Sequence, residues 1–131
     1  MELFLNLREV VREMRVDPST EDDPVKRMFI YSGSDLTVNI ASGSDAGNSL
    51  HRQPGHEEIV VVLEGEAEFR VGDQIRHVTR GDIIFVPRGA VHGRVRTLSK
   101  LWTALSIYGP AFDRSKKNIE WVNDPERATG C

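Results

Sequence analysis

Two of the four histidines lie close to two glutamates in the stretch from His51 to Glu58, directly before an apolar run. His51 and Gln53 share one face of the chain if it is extended there. His56 and Glu58 share a face after the intervening proline-glycine turn. Neutral imidazole and carboxylate suit divalent iron, manganese, nickel and zinc, and an amide oxygen is a weaker ligand. The stretch therefore predicts a metal site, with a solvated polar loop as the alternative.

A second stretch, residues 81–95, supplies a further histidine for the same chemistry. Gly81-Asp82 and Pro87–Gly89 are turn signals, and His92 follows them at the start of the next predicted strand. We expect His92 to join His51 and Glu58. Two histidines and one carboxylate are the set that non-haem iron oxygenases use, with positions left open for substrate and oxygen.

Short strands must position these residues. From residue 26 onwards, β-branched runs alternate with glycine, aspartate, asparagine and proline, which is typical of an all-β sandwich or barrel. The predicted strands span residues 26–31, 36–41, 58–63, 66–71, 74–79, 83–86, 92–97 and 101–108. Before them, residues 6–15 predict a short amphipathic helix with Asn6 and Glu9 at its N-terminal cap, followed by a polar connector over residues 17–24.

The predicted strand from Glu58 to Leu63 has apolar residues on both faces. A strand of this kind must be covered on both sides, one by the barrel interior and the other by a second layer or a partner chain. We therefore predict a homodimer.

Composition excludes several classes of partner. The 131 residues fit one domain. A formal net charge of −3 gives no basic footprint for nucleic acid. The longest apolar run, Ile59–Leu63, is too short to cross a membrane. The single cysteine, Cys131, allows no intrachain disulfide, and together with the lack of a signal-peptide pattern it favours a cytoplasmic location.

Two motifs make the chain similar to the single-domain cupins, a family with a double-stranded β-helix, or jelly-roll barrel. The first family motif has a histidine-any-histidine pair, a glutamate, six residues and a glycine, and its places are taken by His51, Gln53, Glu58 and Gly65. The second is matched in spacing by Gly81, Pro87, Gly89 and His92, with Arg96 in place of its asparagine. The resemblance implies a single domain over 1–131, with a core barrel over about 26–108, the helix 6–15 and a C-terminal extension over 109–131.

The chain departs from the first motif at two places. Asp45 stands where the motif opens with glycine, with glycines at 43 and 47. Gln53 stands where the second histidine belongs. The resemblance implies one divalent transition metal, iron, manganese, nickel or zinc, held by His51, Glu58 and His92. Three alternatives for the remaining ligand stay open: the Gln53 amide oxygen, a water molecule with Gln53 behind it, or His56. In a fourth alternative, the protein has lost the metal.

Arg94 and Arg96 share strand parity with His92, so both are expected in the barrel if His92 is. An arginine near a metal is a natural clamp for a substrate carboxylate or phosphate. The alternative is that the strand bends outward after Gly93 and that both guanidinium groups are solvated.

The cupin fold supports dioxygenases, decarboxylases, isomerases, lyases, sugar-binding sensors and storage proteins, so the fold alone does not give the reaction. Our first hypothesis is a metal-dependent enzyme of dioxygenase, lyase or isomerase type acting on a small polar or anionic molecule. The second is a non-catalytic, metal-assisted binding protein for a sugar or carboxylate. The third is a structural barrel with a vestigial site.

Overall fold

In the part of the chain that the structure describes, the alternating and β-branched runs of the sequence form ten strands, and one short helix precedes them. A computed structural model describes residues 3–14, 25–43 and 50–122. The helix is α1 (Leu7–Met14), and the strands are β1 (Val25–Ser32), β2 (Thr37–Gly43), β3 (His51–Arg52), β4 (Glu57–Glu64), β5 (Glu66–Val71), β6 (Gln74–Thr79), β7 (Ile83–Val86), β8 (His92–Thr97), β9 (Trp102–Gly109) and β10 (Glu120–Trp121). The predicted connector at 17–24 and Cys131 lie outside the described residues.

The strands form two antiparallel sheets. One sheet has the order β1-β2-β9-β4-β7 and the other has the order β10-β3-β8-β5-β6. Neighbours in sequence are often not neighbours in a sheet, because the chain crosses repeatedly from one sheet to the other. This is the jelly-roll arrangement. The predicted all-β, double-stranded β-helix fold with a short N-terminal helix is confirmed.

The core lies between the two sheets. Strands β4 and β5 each turn alternate side chains inward. The buried cluster consists of Val60, Val62, Ala67, Phe69, Val78, Ile84, Val86, Trp102 and Ala104. Both sheets contribute to it, so the core fixes how the sheets face each other and where polar side chains on the inner faces point.

The helix α1 covers part of the outer face of the first sheet. The amide of Glu9 donates to the side chain of Asn6 at 3.1 Å, which is the predicted N-terminal cap. Val10 and Met14 are buried against Ile40, with Leu63 of β4 packed beside them. The helix is therefore a second layer over one end of β4.

The rest of this outer face is apolar and exposed. Ile59 of β4 lies opposite Phe85 of β7, and Val61 lies opposite Ile83. Ile59, Ile83 and Phe85 are 37%, 55% and 69% exposed. Among residues 3–14, 25–43 and 50–122, the predicted cover of the second face of β4 is found near Leu63.

No helix among residues 3–14, 25–43 and 50–122 is long and apolar enough to span a membrane. The cytoplasmic location, the lack of nucleic-acid binding and the extent of the single domain stay predictions.

Gly65, which joins β4 to β5, gives a test of this fold. Its φ is +94°, and a Cβ at this position would overlap the carbonyl oxygen of Leu101 and lie 2.7 Å from Ser99 Oγ. We expect Gly65→Ala to lower the free energy of unfolding by about 2–5 kcal/mol, because backbone strain and overpacking add. The measurement is the midpoint of urea unfolding.

Gly55→Ala is the matched control, since a Cβ there would meet no atom within 4 Å. Its unfolding free energy is expected to stay within about 1 kcal/mol of the unsubstituted protein. A Gly65→Ala protein with an unchanged midpoint would contradict the described turn.

Candidate metal centre

Three strands bring His51, Glu58 and His92 together. His51 opens β3 and is the register partner of His92, the first residue of β8. Glu58 is the second residue of β4 and points inward, on the same face as the core residue Val60. The turns that precede β4 and β8 also meet, because the amide of Gly89 donates to the carbonyl of Gln53 at 3.1 Å. The turn chemistry therefore places all three side chains at one end of the barrel.

The three side chains form a close cluster. One ligand atom from each of His51, Glu58 and His92 lies within 4.8 Å of the other two. His92 Nε2 is 2.8 Å from Glu58 Oε1, and the rings of His51 and His92 are 4.2 Å apart. Glu58 and His92 are buried, while His51 is partly exposed. The cluster thus faces the barrel interior and is reached from the side of His51.

The backbone fixes which nitrogen of His92 faces the cluster. His92 Nδ1 lies 2.9 Å from the carbonyl oxygen of Ala90. A carbonyl can only accept, so Nδ1 carries a proton and donates it. This holds the ring with Nε2 towards Glu58, which is the arrangement that metal-binding histidines use to orient themselves.

Glu58 is held as a carboxylate in a buried site. Burial raises its pKa, but the hydrogen bond and charge of His92, the charge of His51 and a hydrogen bond from Ser106 together bring it below its ordinary value. A buried carboxylate is stabilised by a positive charge next to it, which a protonated imidazole or a metal ion can supply.

Gln53 is buried behind the turn that follows β3, with only 1% of its surface exposed. Its Nε2 makes no hydrogen bond to any residue in 3–14, 25–43 or 50–122. A buried amide that lacks a partner in a folded protein calls for an explanation, such as a bound ion or water.

His56 is not brought to the cluster. Its amide donates to the carbonyl of Gln53 and closes a turn, so the chain is not extended at this residue and the expected parity with Glu58 does not hold. Instead, His56 Nδ1 lies 2.7 Å from the carbonyl oxygen of Pro110, and the ring contacts Phe112 at 4.7 Å. The reading in which His56 completes the metal shell is not favoured by this geometry.

Arg94 lies inside the barrel. It is buried, its Nη1 donates to Thr97 Oγ1 at 2.9 Å, and its guanidinium lies 5.6 Å from the ring of Trp102. It shares a strand face with His92, as expected from the sequence.

Arg96 differs from the expectation. Its side chain is 65% exposed and pairs with Glu68 at 3.1 Å. The reason is a β-bulge: Arg94 lies opposite Phe69 and Arg96 lies opposite Glu68, so Val95 is an extra residue in β8. The extra residue reverses the alternation of side chains, and Arg96 turns to the outer face.

The sequence of residues 36–105 matches the family model of the cupin domain, and this segment contains the three clustered residues. The chain belongs to the cupin family.

Known proteins similar to this cupin are distant in sequence. An uncharacterized protein from Aquifex aeolicus (strain VF5) is 33% identical over 63 residues, which are 48% of this chain and 51% of that protein. The cupin thus spans about half the length of the curated relative it matches.

Three solved structures share the fold. KdgF from Halomonas sp. has a TM-score of 0.65 at 20% identity, over 74% of this chain and 89% of that one. The DMSP lyase DddQ from Ruegeria pomeroyi DSS-3 has a TM-score of 0.64 at 26% identity, over 81% of this chain and 55% of that one. A nucleoside dehydratase, Pac13, has a TM-score of 0.60 at 15% identity, over 76% of this chain and 78% of that one. Cupins similar to this one therefore include enzymes that act on small molecules.

The residues present fit the metal that cupins often bind. Two imidazoles and a carboxylate form a borderline donor set. The coarse prediction of a metal-binding cupin is supported to this extent, while the identity of the metal stays open.

Two contacts of the cluster were not predicted. Ser106 donates to Glu58, and the ring of Trp121 lies 5.1 Å from that of His51. Ser106 is on β9, which the sequence predicts only as a strand. Trp121 belongs to a two-residue strand, which is too short to show a periodic pattern.

Proposed function

We propose that this cupin holds one divalent transition metal, iron, manganese, nickel or zinc, at His51, Glu58 and His92, and that it is an enzyme acting on a small polar or anionic molecule. The observation that carries the proposal is the buried three-residue cluster, with ligand atoms within 4.8 Å of one another. A metal bound there would act as a Lewis acid towards a carbonyl, carboxylate or hydroxyl of the substrate.

The fourth ligand in this proposal is the amide oxygen of Gln53. Its Nε2 has no hydrogen-bond acceptor among the described residues. The two ends of an amide have nearly the same shape, so the side chain fits its cavity equally well with the oxygen in place of the nitrogen. A metal ion would give that oxygen a partner. Water as the fourth ligand, with Gln53 behind it, is the alternative.

The chain's own residues position and activate the substrate. Ser106 donates a hydrogen bond to the Glu58 carboxylate, and the carbonyl of Ala90 keeps the His92 ring in one orientation. Arg94 presents a buried positive charge on the same strand face, which would bind a substrate carboxylate in a site with little water. The apolar neighbours Phe69 and Trp102 exclude water from that part of the barrel.

Of the dioxygenase, lyase and isomerase types, we favour a lyase. DddQ, a DMSP lyase, is 26% identical to this cupin, and the match covers 81% of this chain and 55% of DddQ. A lyase reaction requires a group that polarises the substrate, and a metal held at the cluster would supply it. Metal-assisted binding of a sugar or carboxylate without turnover is the alternative, and a panel of small hydroxy and carboxylic acids followed by NMR would separate the two.

We also propose that two copies of this cupin associate through the exposed outer face of β4 and β7. The face is a double row of apolar residues, with Ile59 beside Phe85 and Val61 beside Ile83. Since β7 is an edge strand of its sheet, a second copy can approach it without obstruction from a neighbouring strand. The apolar rows of two copies can pack against each other, which suits a two-fold dimer.

The metal proposal predicts about one divalent metal ion per chain in protein purified without chelator. His51→Ala is expected to lose it, because one of two imidazole ligands is removed. Gln53→Ala is expected to weaken binding about tenfold or more. Elemental analysis gives the stoichiometry, and competition with a chelator gives the affinity.

His77→Ala is the matched control for this experiment. His77 is exposed and paired with Glu66, on a strand that contributes nothing to the cluster. It is expected to keep the full metal content. A protein without metal after reconstitution would overturn the proposal, and unchanged affinity in Gln53→Ala would assign the fourth position to water.

The Arg94 proposal predicts a difference between the two arginines of β8. In the metal-loaded protein, Arg94→Met is expected to weaken the binding of malonate about tenfold or more, because a charge-assisted hydrogen bond is lost. Methionine keeps the apolar volume of the stem. Arg96→Met is the control and should leave binding unchanged within about twofold, because its side chain is exposed. Equal effects in a calorimetric titration would contradict the role of Arg94.

The dimer proposal predicts that Phe85→Asp shifts the protein from dimer to monomer, because the substitution buries a charge in the interface. Multi-angle light scattering measures the mass. Ile75→Asp is the control, since Ile75 is 49% exposed but lies on β6 of the other sheet. The proposal fails if the unsubstituted protein is a monomer.

A further inference from the structure

The segment of residues 110–122 follows the part of the chain that matches the cupin model, and we name it the C-terminal strap. It begins against the first sheet. The amide of Phe112 donates to Thr37 Oγ1 at 2.8 Å, and the Phe112 ring contacts those of Tyr108 and His56 at 4.2 and 4.7 Å. His56 therefore anchors the strap.

The strap ends on the second sheet, beside the metal centre. Strand β10 pairs with β3, with Glu120 opposite Arg52 and Trp121 opposite His51. One more backbone bond, from the amide of Val122 to the carbonyl of Leu50 at 3.1 Å, extends the contact. The strap thus connects the two sheets at the end of the barrel where the cluster lies.

The middle of the strap is held in one shape. Asn118 is buried, and its Nδ2 donates to the carbonyls of Asp113 and Lys116 at 2.9 and 3.1 Å. Ile119 next to it is buried as well. These contacts fix the path of the chain between its two anchors, so that Trp121 arrives at a defined position.

At that position, three rings lie side by side across three neighbouring strands. His51 is the register partner of Trp121 on one side and of His92 on the other. The ring of His51 lies 5.1 Å from that of Trp121 and 4.2 Å from that of His92. Trp121 is buried, while His51 is partly exposed. The indole therefore limits the orientations that the imidazole can adopt.

The backbone at His51 depends on the strap too. Strand β3 has two residues, and its register with β8 consists of the single pair His51–His92. Pairing with β10 adds a ladder on the other side of β3. Because metal–ligand distances must be met within about 0.2 Å, a ligand on so short a strand needs such support.

We propose that Trp121 is a positioning residue for His51, and that docking of the C-terminal strap sets the metal affinity of the cupin. This inference rests on the proposed metal site. The strap thereby affects the metal affinity of the site, although no residue of the strap belongs to the cluster of His51, Glu58 and His92.

The test uses Co²⁺, whose visible absorption reports the number and geometry of its ligands. In the full chain, Trp121→Leu is expected to weaken Co²⁺ binding about tenfold or more and to change the absorption spectrum, because His51 is no longer held. Leucine keeps much of the apolar contact but lacks a flat ring. Trp121→Phe restores a ring and is expected to return both affinity and spectrum most of the way.

Glu120→Ala is the matched control on the same strand. Its side chain is 56% exposed and 3.6 Å from Arg52, so its removal breaks a surface ion pair and leaves the ring contact in place. Affinity and spectrum should not change. Circular dichroism and thermal unfolding show whether each variant is folded.

The outcomes separate this inference from the proposed function. An unsubstituted protein that binds no Co²⁺ overturns both. An unsubstituted protein that binds Co²⁺, with the same affinity and spectrum in a folded Trp121→Leu variant, overturns the positioning role and leaves the metal site. If Trp121→Leu does not fold, Trp121→Met, which also lacks a ring, takes its place, and an affinity and spectrum equal to those of Glu120→Ala then overturn the positioning role.

Discussion

The contact between Glu58 and His92 is the constraint on which the rest of the site depends. A carboxylate and an imidazole lie 2.8 Å apart, and both are almost completely buried. Burial of a carboxylate is unfavourable unless hydrogen bonds or an opposite charge compensate, and removal of one partner from such a pair typically costs about 3–5 kcal/mol. The pair therefore stabilises the fold only while β4 and β8 stay in register with their neighbours.

The two strands that carry this pair belong to different sheets. Glu58 is on β4 of one sheet and His92 is on β8 of the other, so the contact crosses the interior of the barrel. The apolar core beside it holds the sheets at the distance that the contact requires. A change in the packing of the core would therefore alter the separation of Glu58 and His92.

Much of this arrangement could be predicted from the sequence. The strands at 66–71, 74–79, 83–86 and 92–97 were predicted with the bounds that the structure has, because glycine and aspartate turns separate runs with a clear period of two. The proximity of His51, Glu58 and His92 followed from two motifs at family spacing. The strand bounds follow from local patterns, and the positions of the three side chains follow from the fixed spacing of residues within each motif.

Other features depend on the register between strands distant in sequence. Strands β3 and β10 have two residues each, which is too few for a pattern, so the contact between Trp121 and His51 could not be foreseen. The orientation of His56 depends on Pro110, more than fifty positions later. The bulge in β8 is defined by the pairing of β8 with β5, and the residue types within β8 do not predict it.

This bulge determines the electrical charge of the barrel interior. With strict alternation, β8 would turn Arg96 inward and Thr97 outward; the extra residue at Val95 exchanges them, so that a neutral hydroxyl at Thr97 accepts from Arg94. A second buried guanidinium would have added to the repulsion that a divalent cation meets in a medium of low dielectric constant. One inserted residue thus keeps the guanidinium of Arg96 out of the barrel interior, where that of Arg94 is already buried.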